Sequence, residues 1–272
     1  MIVNYFFKSF KKNKNKVSII LNNRKYLYAD LINKIEQLNN SNDLKSLKEG
    51  DIVAIESDYN LTSISLLFFL ISKSCIIVPI NKKKEDEKSR IIKIAKVNKL
   101  IEVIDNENYN IRELSYINNS ILIKKLHKEK MPGLILFSSG SSGFPKGAVH
   151  NFNNLLEKFT RPRVSLITIN FLLFDHWGGL NTMFHVLSNG GTLVLINIRT
   201  PEHIAKTIEV NKVELLPVSP TFLNMLILSN VYKKYDLDSL KTISYGTEPM
   251  PETTLIKLKS IFPNVKLQQT YG

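Results

Sequence analysis

The sequence predicts an α/β fold of mostly parallel sheets covered by helices, and three observations carry that prediction. Apolar runs of four to six residues alternate with segments of helical spacing from Ile52 to Gln269, the pattern of buried parallel strands with crossover helices. The 272 residues are 43% hydrophobic and 22% charged, enough to bury a core and unlike a disordered or collagen-like chain. Ten of the eleven glycines lie at or after Gly133, which sets a glycine-poor first part against a second part with glycine-rich loops.

Taken in order, Met1–Lys16 pairs Tyr5, Phe6, Phe7 and Phe10 with a lysine cluster and reads as a basic N-terminal segment. It lacks the roughly 7–15-residue apolar run of a signal peptide. Tyr28–Asn39 has helical spacing, with Leu31, Ile35 and Leu38 on one face, and a charged turn at Lys48–Asp51 follows. Ile52–Ile55 reads as a strand, Leu61–Ser72 as a buried helix and Cys75–Ile80 as a buried strand. Lys73 and the Ser/Thr content of Leu61–Ile80 argue against a membrane span. Lys82–Arg90 opens a further helix, and Leu100–Ile104 is a strand.

The alternation resumes with strand Leu134–Phe137, helix Asn151–Phe159 and strand Gly191–Leu195. Helix Pro201–Asn211, with proline in its first turn, precedes strand Glu214–Val218. Helix Pro220–Leu228, strand Lys241–Tyr245, helix Pro251–Phe262 and strand Val265–Gln269 complete the series. The expected division is a segment 1–16, an α/β subdomain 17–132 and a second subdomain 133–272, the two halves being free to share sheets.

Charge and metal-ligand chemistry narrow the function classes. The net charge is +13, but 31 of the 37 basic residues are lysine, and the excess is spread along the chain. A focused, arginine-bearing nucleic-acid surface is therefore not expected. The single cysteine, Cys75, excludes a disulfide framework and a cysteine-based zinc site, and it fits a reducing, cytoplasmic setting. His127, His150, His176, His185 and His203 show no metal-ligand spacing as a set.

The chemistry concentrates in Phe137-Ser138-Ser139-Gly140-Ser141-Ser142-Gly143-Phe144-Pro145-Lys146-Gly147. Glycines allow backbone N–H groups to turn inward, hydroxyls donate further hydrogen bonds, and Lys146 adds a mobile positive charge, which makes an anion site by composition. The run is not a Walker loop, since Pro145 precedes the lysine and Gly147 follows it.

Ser138–Gly147 resembles the phosphate loop of the adenylate-forming superfamily (acyl- and aryl-CoA synthetases, peptide-synthetase adenylation domains and luciferase), Ser/Thr-Ser-Gly-Ser/Thr-Thr-Gly-x-Pro-Lys-Gly, with Ser142 in a Thr position. Tyr28–Leu31, Lys48–Ile55 and Ile77–Asn81 are similar to that family's Thr-Tyr-x-x-Leu, Gly-Asp-x-Val and Val-Pro-Leu-Asn segments. His150–Leu155 is similar to its His-x-x-x-Asn-Leu helix, Asp175–Leu180 to its Phe-His-x-x-Gly-Leu acyl-pocket segment, and Val218–Thr221 to its Val-Pro-Thr stretch. Tyr245–Pro251 is similar to its adenine-side Gly-Gly-Glu-Pro-Leu-Pro loop, and Gln269–Gly272 to the start of its Tyr-Gly-x-Thr-Glu motif.

The resemblance implies two βα-repeat subdomains of the N-terminal domain of such an enzyme, and a reaction of ATP with a carboxylic acid giving acyl-adenylate and pyrophosphate, then transfer to CoA or a carrier thiol. It implies that Ser138, Ser139, Gly140, Ser141, Ser142, Gly143 and Lys146 hold the β- and γ-phosphates, with Lys146 catalytic and Mg²⁺ arriving with ATP. Gly246, Thr247, Glu248, Pro249 and Tyr271 would contact adenine, and His176, Trp177 and Gly178 would line the acyl pocket. Phe174-Asp175 also suits an amino-acid-activating member, whereas the spacing of His176–Leu180 suits an acyl or aryl ligase. The sequence ends within the Tyr-Gly-x-Thr-Glu motif, so the resemblance implies a truncated chain without the family's C-terminal domain, which a separate half could supply. The alternatives are a non-catalytic nucleotide- or partner-binding remnant, and a basic nucleic-acid or membrane-surface binder, which leaves the serine-rich loop without a role.

Overall fold

The computed structural model describes residues 2–81, 85–116, 120–139 and 145–270. The chain begins with α1 (Val3–Lys12), β1 (Val17–Leu21), β2 (Arg24–Leu27), α2 (Tyr28–Asn40), β3 (Ile52–Glu56), α3 (Leu61–Ser72) and β4 (Ile76–Ile80). It continues through α4 (Glu85–Ala95), β5 (Lys99–Val103), β6 (Tyr109–Glu113), α5 (Ile121–Lys128), β7 (Gly133–Ser139), β8 (Pro145–Asn151) and α6 (Phe152–Glu157). Then come β9 (Ile167–Asn170), α7 (Trp177–Ser188), β10 (Thr192–Leu195), α8 (Pro201–Asn211) and β11 (Leu215–Val218), followed by α9 (Pro220–Ser229), β12 (Thr242–Tyr245), α10 (Glu252–Ile261) and β13 (Lys266–Gln269).

The strands form a seven-stranded sheet in the order β13-β12-β11-β9-β10-β1-β2 and a six-stranded sheet in the order β6-β5-β3-β4-β7-β8. Pairing is parallel except for β1–β2, β5–β6 and β7–β8, so the predicted mostly parallel α/β class is the one observed. The division at residue 132 does not coincide with the division between sheets. β7 and β8 extend the sheet built by β3–β6, and β1 and β2 join β9–β13.

Side-chain alternation explains the layering. On β3, Val53 and Ile55 face the central core while Ile52 and Ala54 face an outer one; on β1, Ile19 and Leu21 point inward and Ile20 outward. Both faces of each sheet are thus covered, as parallel sheets require. The central core lies between the sheets and takes in α1, α2, α3 and α7. Helices α8, α9 and α10 cover the outer face of the seven-stranded sheet, and α4 and α5 that of the six-stranded one. α3 is hydrophobic on every side and is buried on every side, from Leu61 to Ile71. Its start is fixed by Asn60, whose side chain accepts from the Ser63 N–H at 2.8 Å while Ser63 Oγ accepts from the Asn60 N–H at 2.9 Å. No described helix is long and apolar enough to cross a membrane.

Several elements went unread in the sequence, namely α1, β1, β2, β6, α5, β8, β9 and α7. Within the basic segment 1–16, Val3, Phe6 and Phe10 form one buried face of α1, spaced for a helix, while Lys8, Lys11 and Lys12 point to solvent. Phe6 packs its ring against Phe68 and Phe184 at centroid separations of 5.4 and 5.6 Å, which ties the N-terminal segment into the central core. β1 and β2 form a hairpin whose turn residues, Asn22 and Asn23, have φ of 50° and 63°. Two left-handed residues are what a tight turn between twisted antiparallel strands needs, and asparagine tolerates that region well.

Candidate functional site

Because β9, β11, β12 and β13 run in parallel, their C-terminal ends emerge on one side of the seven-stranded sheet, where open α/β sheets form their crevices. A cavity of about 920 Å³ opens there. One wall comes from Pro217 and Val218 at the end of β11, Ser244 of β12, the loop Gly246–Pro249, and Gln269 and Thr270. The facing wall is the first turns of α7, with His176, Trp177, Gly178, Asn181 and Thr182, together with Leu172 and Lys158. Gly246–Pro249, expected for adenine contact, and His176–Gly178, expected for the acyl pocket, therefore line one cavity.

The adenine-side loop is tightly constrained. A Cβ on Gly246 would stand 2.6 Å from the Thr270 carbonyl oxygen, so only glycine lets the chain leave β12 this close to the end of β13. Thr247 follows with φ of 73°, a left-handed conformation that a β-branched residue adopts only when its surroundings impose it. Its hydroxyl donates to the Gly246 carbonyl. Glu248 accepts a hydrogen bond from the Thr221 hydroxyl at the start of α9, which fixes the loop to a second helix.

On the other wall, His176 is the N-cap of α7, its Nδ1 accepting from the Gly178 N–H at 3.1 Å. That role requires Nδ1 to carry no proton and orients the ring at the cavity. A Cβ on Gly179 would lie 2.4 Å from the Leu173 carbonyl and 2.7 Å from the Tyr59 hydroxyl, so the helix start is pressed against the backbone before it. Trp177 is half-buried, and the Lys158 ammonium sits 5.1 Å from its ring centroid and 5.1 Å from that of Phe159. Burial lowers the pKa of Lys158. Behind it, burial and, secondarily, Arg163 and Lys158 lower that of His185 on α7.

The described phosphate-loop residues lie in the other sheet. Ser138 and Ser139 end β7, with Ser138 opposite Lys146 and Ser139 opposite Pro145 on β8, and Ser138 and Lys146 are exposed. Gly140, Ser141, Ser142, Gly143 and Tyr271 lie outside the described residues. Ser138 and Lys146 are not among the residues lining the 920 Å³ cavity. The strand read at Leu134–Phe137 is longer, and a second strand, β8, stands where the loop was expected to lead straight into a helix. His150 lies in β8, and the helix begins at Phe152 and ends at Glu157, short of the predicted Asn151–Phe159.

Sequence reasoning missed Lys158, Asn181, Thr182, Gln269 and Thr270. Asn181 and Thr182 stand one helical turn after Trp177 and Gly178, so the i, i+4 rule names both once α7 is known to start at Trp177. Asp175, weighed as a holder of an amino group, is not among the cavity-lining residues. Its charge acts instead on the Tyr59 hydroxyl, whose pKa burial raises first and Asp58 and Asp175 raise further. Among the described residues, no three His, Cys, Asp or Glu side chains converge as ligands for one metal ion.

The family model described as AMP-binding enzyme matches residues 6–272. Over 150 residues the chain is 34% identical to 4-coumarate–CoA ligase-like 9 of Arabidopsis thaliana, a stretch covering 52% of this chain and 27% of that protein. Over 148 residues it is 27% identical to D-alanine–D-alanyl carrier protein ligase of Bacillus cereus, covering 51% of this chain and 29% of the relative. The N-terminal subdomain of Klebsiella oxytoca NpsA, solved in complex with 3-hydroxyanthranilyl-AMSN, shares the fold with a TM-score of 0.78 at 16% identity, covering 99% of this chain and 72% of that one. The matched stretches thus span less than a third of either curated relative's length.

Proposed function

The chain belongs to the AMP-binding enzyme family, and from that premise we propose that it is the nucleotide- and acid-binding part of an AMP-forming carboxylate ligase. A carboxylate oxygen attacks the α-phosphorus of ATP, an O–P bond forms, and the bond to the pyrophosphate oxygen breaks. A thiol of CoA or of a carrier protein then attacks the acyl carbon and releases AMP. The carrying observation is that Gly246–Pro249 and His176–Gly178, far apart in sequence, line a single cavity at the C-terminal ends of parallel strands.

In this reading the constrained Gly246–Pro249 loop and Tyr271 hold adenine, and the α7 wall holds the acid. Ser138–Gly143 and Lys146 receive the β- and γ-phosphates, where hydroxyls, N–H groups and one ammonium offset charge that builds on the leaving pyrophosphate. Mg²⁺ would arrive on the phosphates and supply further charge neutralisation there. The absence of Asp175 from the cavity lining favours a non-amino acid over an amino acid.

The test is calorimetric titration of ATP into the chain and into Lys146→Ala. Because Lys146 is exposed on β8, its truncation is expected to leave the fold intact. Loss of a charge-assisted contact predicts about a ten- to hundredfold weaker affinity. Equal affinity in the two proteins would remove the loop from the nucleotide site.

A further inference from the structure

We infer that the acid substrate carries a second negative charge and that Lys158 receives it. The inference rests on the reading of the cavity as the acid and nucleotide site, and it names the class of acid: an apolar or aromatic stem ending in a second carboxylate.

Three observations meet at Lys158. It is the one lysine or arginine among the described residues lining the cavity, and the one acid of that lining, Glu248, is engaged by Thr221. Its ammonium rests at 5.1 Å from the ring centroids of both Trp177 and Phe159, which positions the charge without neutralising it. None of the hydrogen bonds or ion pairs of the described residues engages its Nζ, so its three donors remain open to a ligand. The side chain is exposed at the cavity rim, where partial desolvation lowers its pKa, and an anion brought by the substrate would favour its charged form.

The surroundings fit the rest of such a molecule. Leu172, Trp177, Pro217 and Val218 offer apolar surface to the stem, and Asn181 is available to the oxygens at its end, while the Thr182 hydroxyl donates to the Gly178 carbonyl at 2.9 Å. A monocarboxylate with a purely apolar tail would offer nothing to the ammonium or to Asn181, which would then be left to water.

The chain provides its own reporter, since Trp177 is its single tryptophan and stands in the cavity wall against Lys158. The experiment titrates the full chain with 5′-O-(N-acylsulfamoyl)adenosines, following Trp177 emission and calorimetric heat. Acyl groups of four to eight carbons are compared in pairs, with and without a terminal carboxylate, and adenosine 5′-sulfamate serves as the acyl-free probe. At the best-fitting length the carboxylate-ended compound is expected to bind about tenfold tighter than its partner, a magnitude reduced by the water that reaches Lys158. Lys158→Met is expected to abolish that preference and Lys158→Arg to keep most of it.

Equal binding within every pair overturns the inference and leaves the parent reading standing. So does a Lys158→Met variant that weakens both members of a pair alike, because the lysine then acts on packing alone. A Lys158→Met variant that instead weakens ATP or CoA, with the diacid preference retained, assigns the ammonium to phosphate and overturns the inference too. Failure of every adenosine-bearing probe to bind, the acyl-free one included, sinks the parent reading and this inference with it.

Discussion

The two sheets present their chemistry in different ways. The six-stranded sheet finishes in the antiparallel β7–β8 hairpin, whose serine- and lysine-bearing end is exposed. The seven-stranded sheet is parallel from β1 through β13, with β2 antiparallel at its other edge, and the loops and helix at the ends of the parallel strands form a walled cavity. The facing ends of β7 and β8 supply exposed hydroxyl and ammonium groups at Ser138 and Lys146, suited to a highly charged group that water also reaches. Parallel strand ends supply concavity, suited to a flat base and an apolar stem. In the proposed reading the division of labour follows strand direction, and the reaction requires the two sheets to be held in fixed relation.

The most damaging way to disturb that relation is to open the core between the sheets. Phe6→Ala removes a fully buried ring that touches Phe68 of α3 and Phe184 of α7, and it is expected to cost about 3–5 kcal/mol in denaturant unfolding. A loss below about 1 kcal/mol would mean that α1 is not part of the joint. Next in size, Gly179→Ala drives a Cβ into the Leu173 carbonyl and displaces the α7 wall, at about 1–3 kcal/mol of stability. It should weaken acyl-adenosine binding while ATP affinity, if dominated by the hairpin, changes less. Similar losses for both ligands would collapse the distinction between the two regions.

A smaller effect is expected from Thr221→Val, which releases Glu248 from α9. Binding of adenosine 5′-sulfamate should fall by about 1 kcal/mol, with phosphate contacts of ATP unaffected. An unchanged affinity would show that the loop is held by its backbone alone. The smallest concerns pH. His185 has a folded-state pKa lowered from 6.5, chiefly by burial, so its contribution is complete above 6.5, where both states are neutral. As pH falls, the unfolded chain takes up the proton first, and stability declines until the folded-state pKa is passed. His185→Leu should flatten that decline in urea midpoints between pH 7 and the acid limb; an identical pH profile would assign the decline to other groups.

Much of this architecture is legible in the sequence wherever local signals and burial agree. Leu61–Ser72 and Pro201–Asn211 are read to their ends because a capping asparagine and a threonine–proline start mark them. α1 was obscured because lysines beside aromatics look like an exposed basic segment until the helical phase of Val3, Phe6 and Phe10 is counted. β8 was obscured because Pro145-Lys146-Gly147 has the composition of a loop, and only pairing with β7 makes it a strand. At the site, the loops announce themselves through glycine, proline and hydroxyl density. Lys158 and Thr270 do not, because their membership in the cavity depends on where separate chain segments converge, a tertiary fact without a local mark.

One helix carries a consequence for how the molecule can change over time. α4, with Lys93 and Ile94 facing water, is free to drift at those positions one residue at a time. α3 offers no such freedom, because its side chains from Leu61 to Ile71 are all enclosed. Any change in volume there must be answered by a neighbour on α1, α2, α7 or a sheet face. In a saturation-mutagenesis map, α3 would stand out as an intolerant block, and substitutions accepted within it would come in compensating pairs.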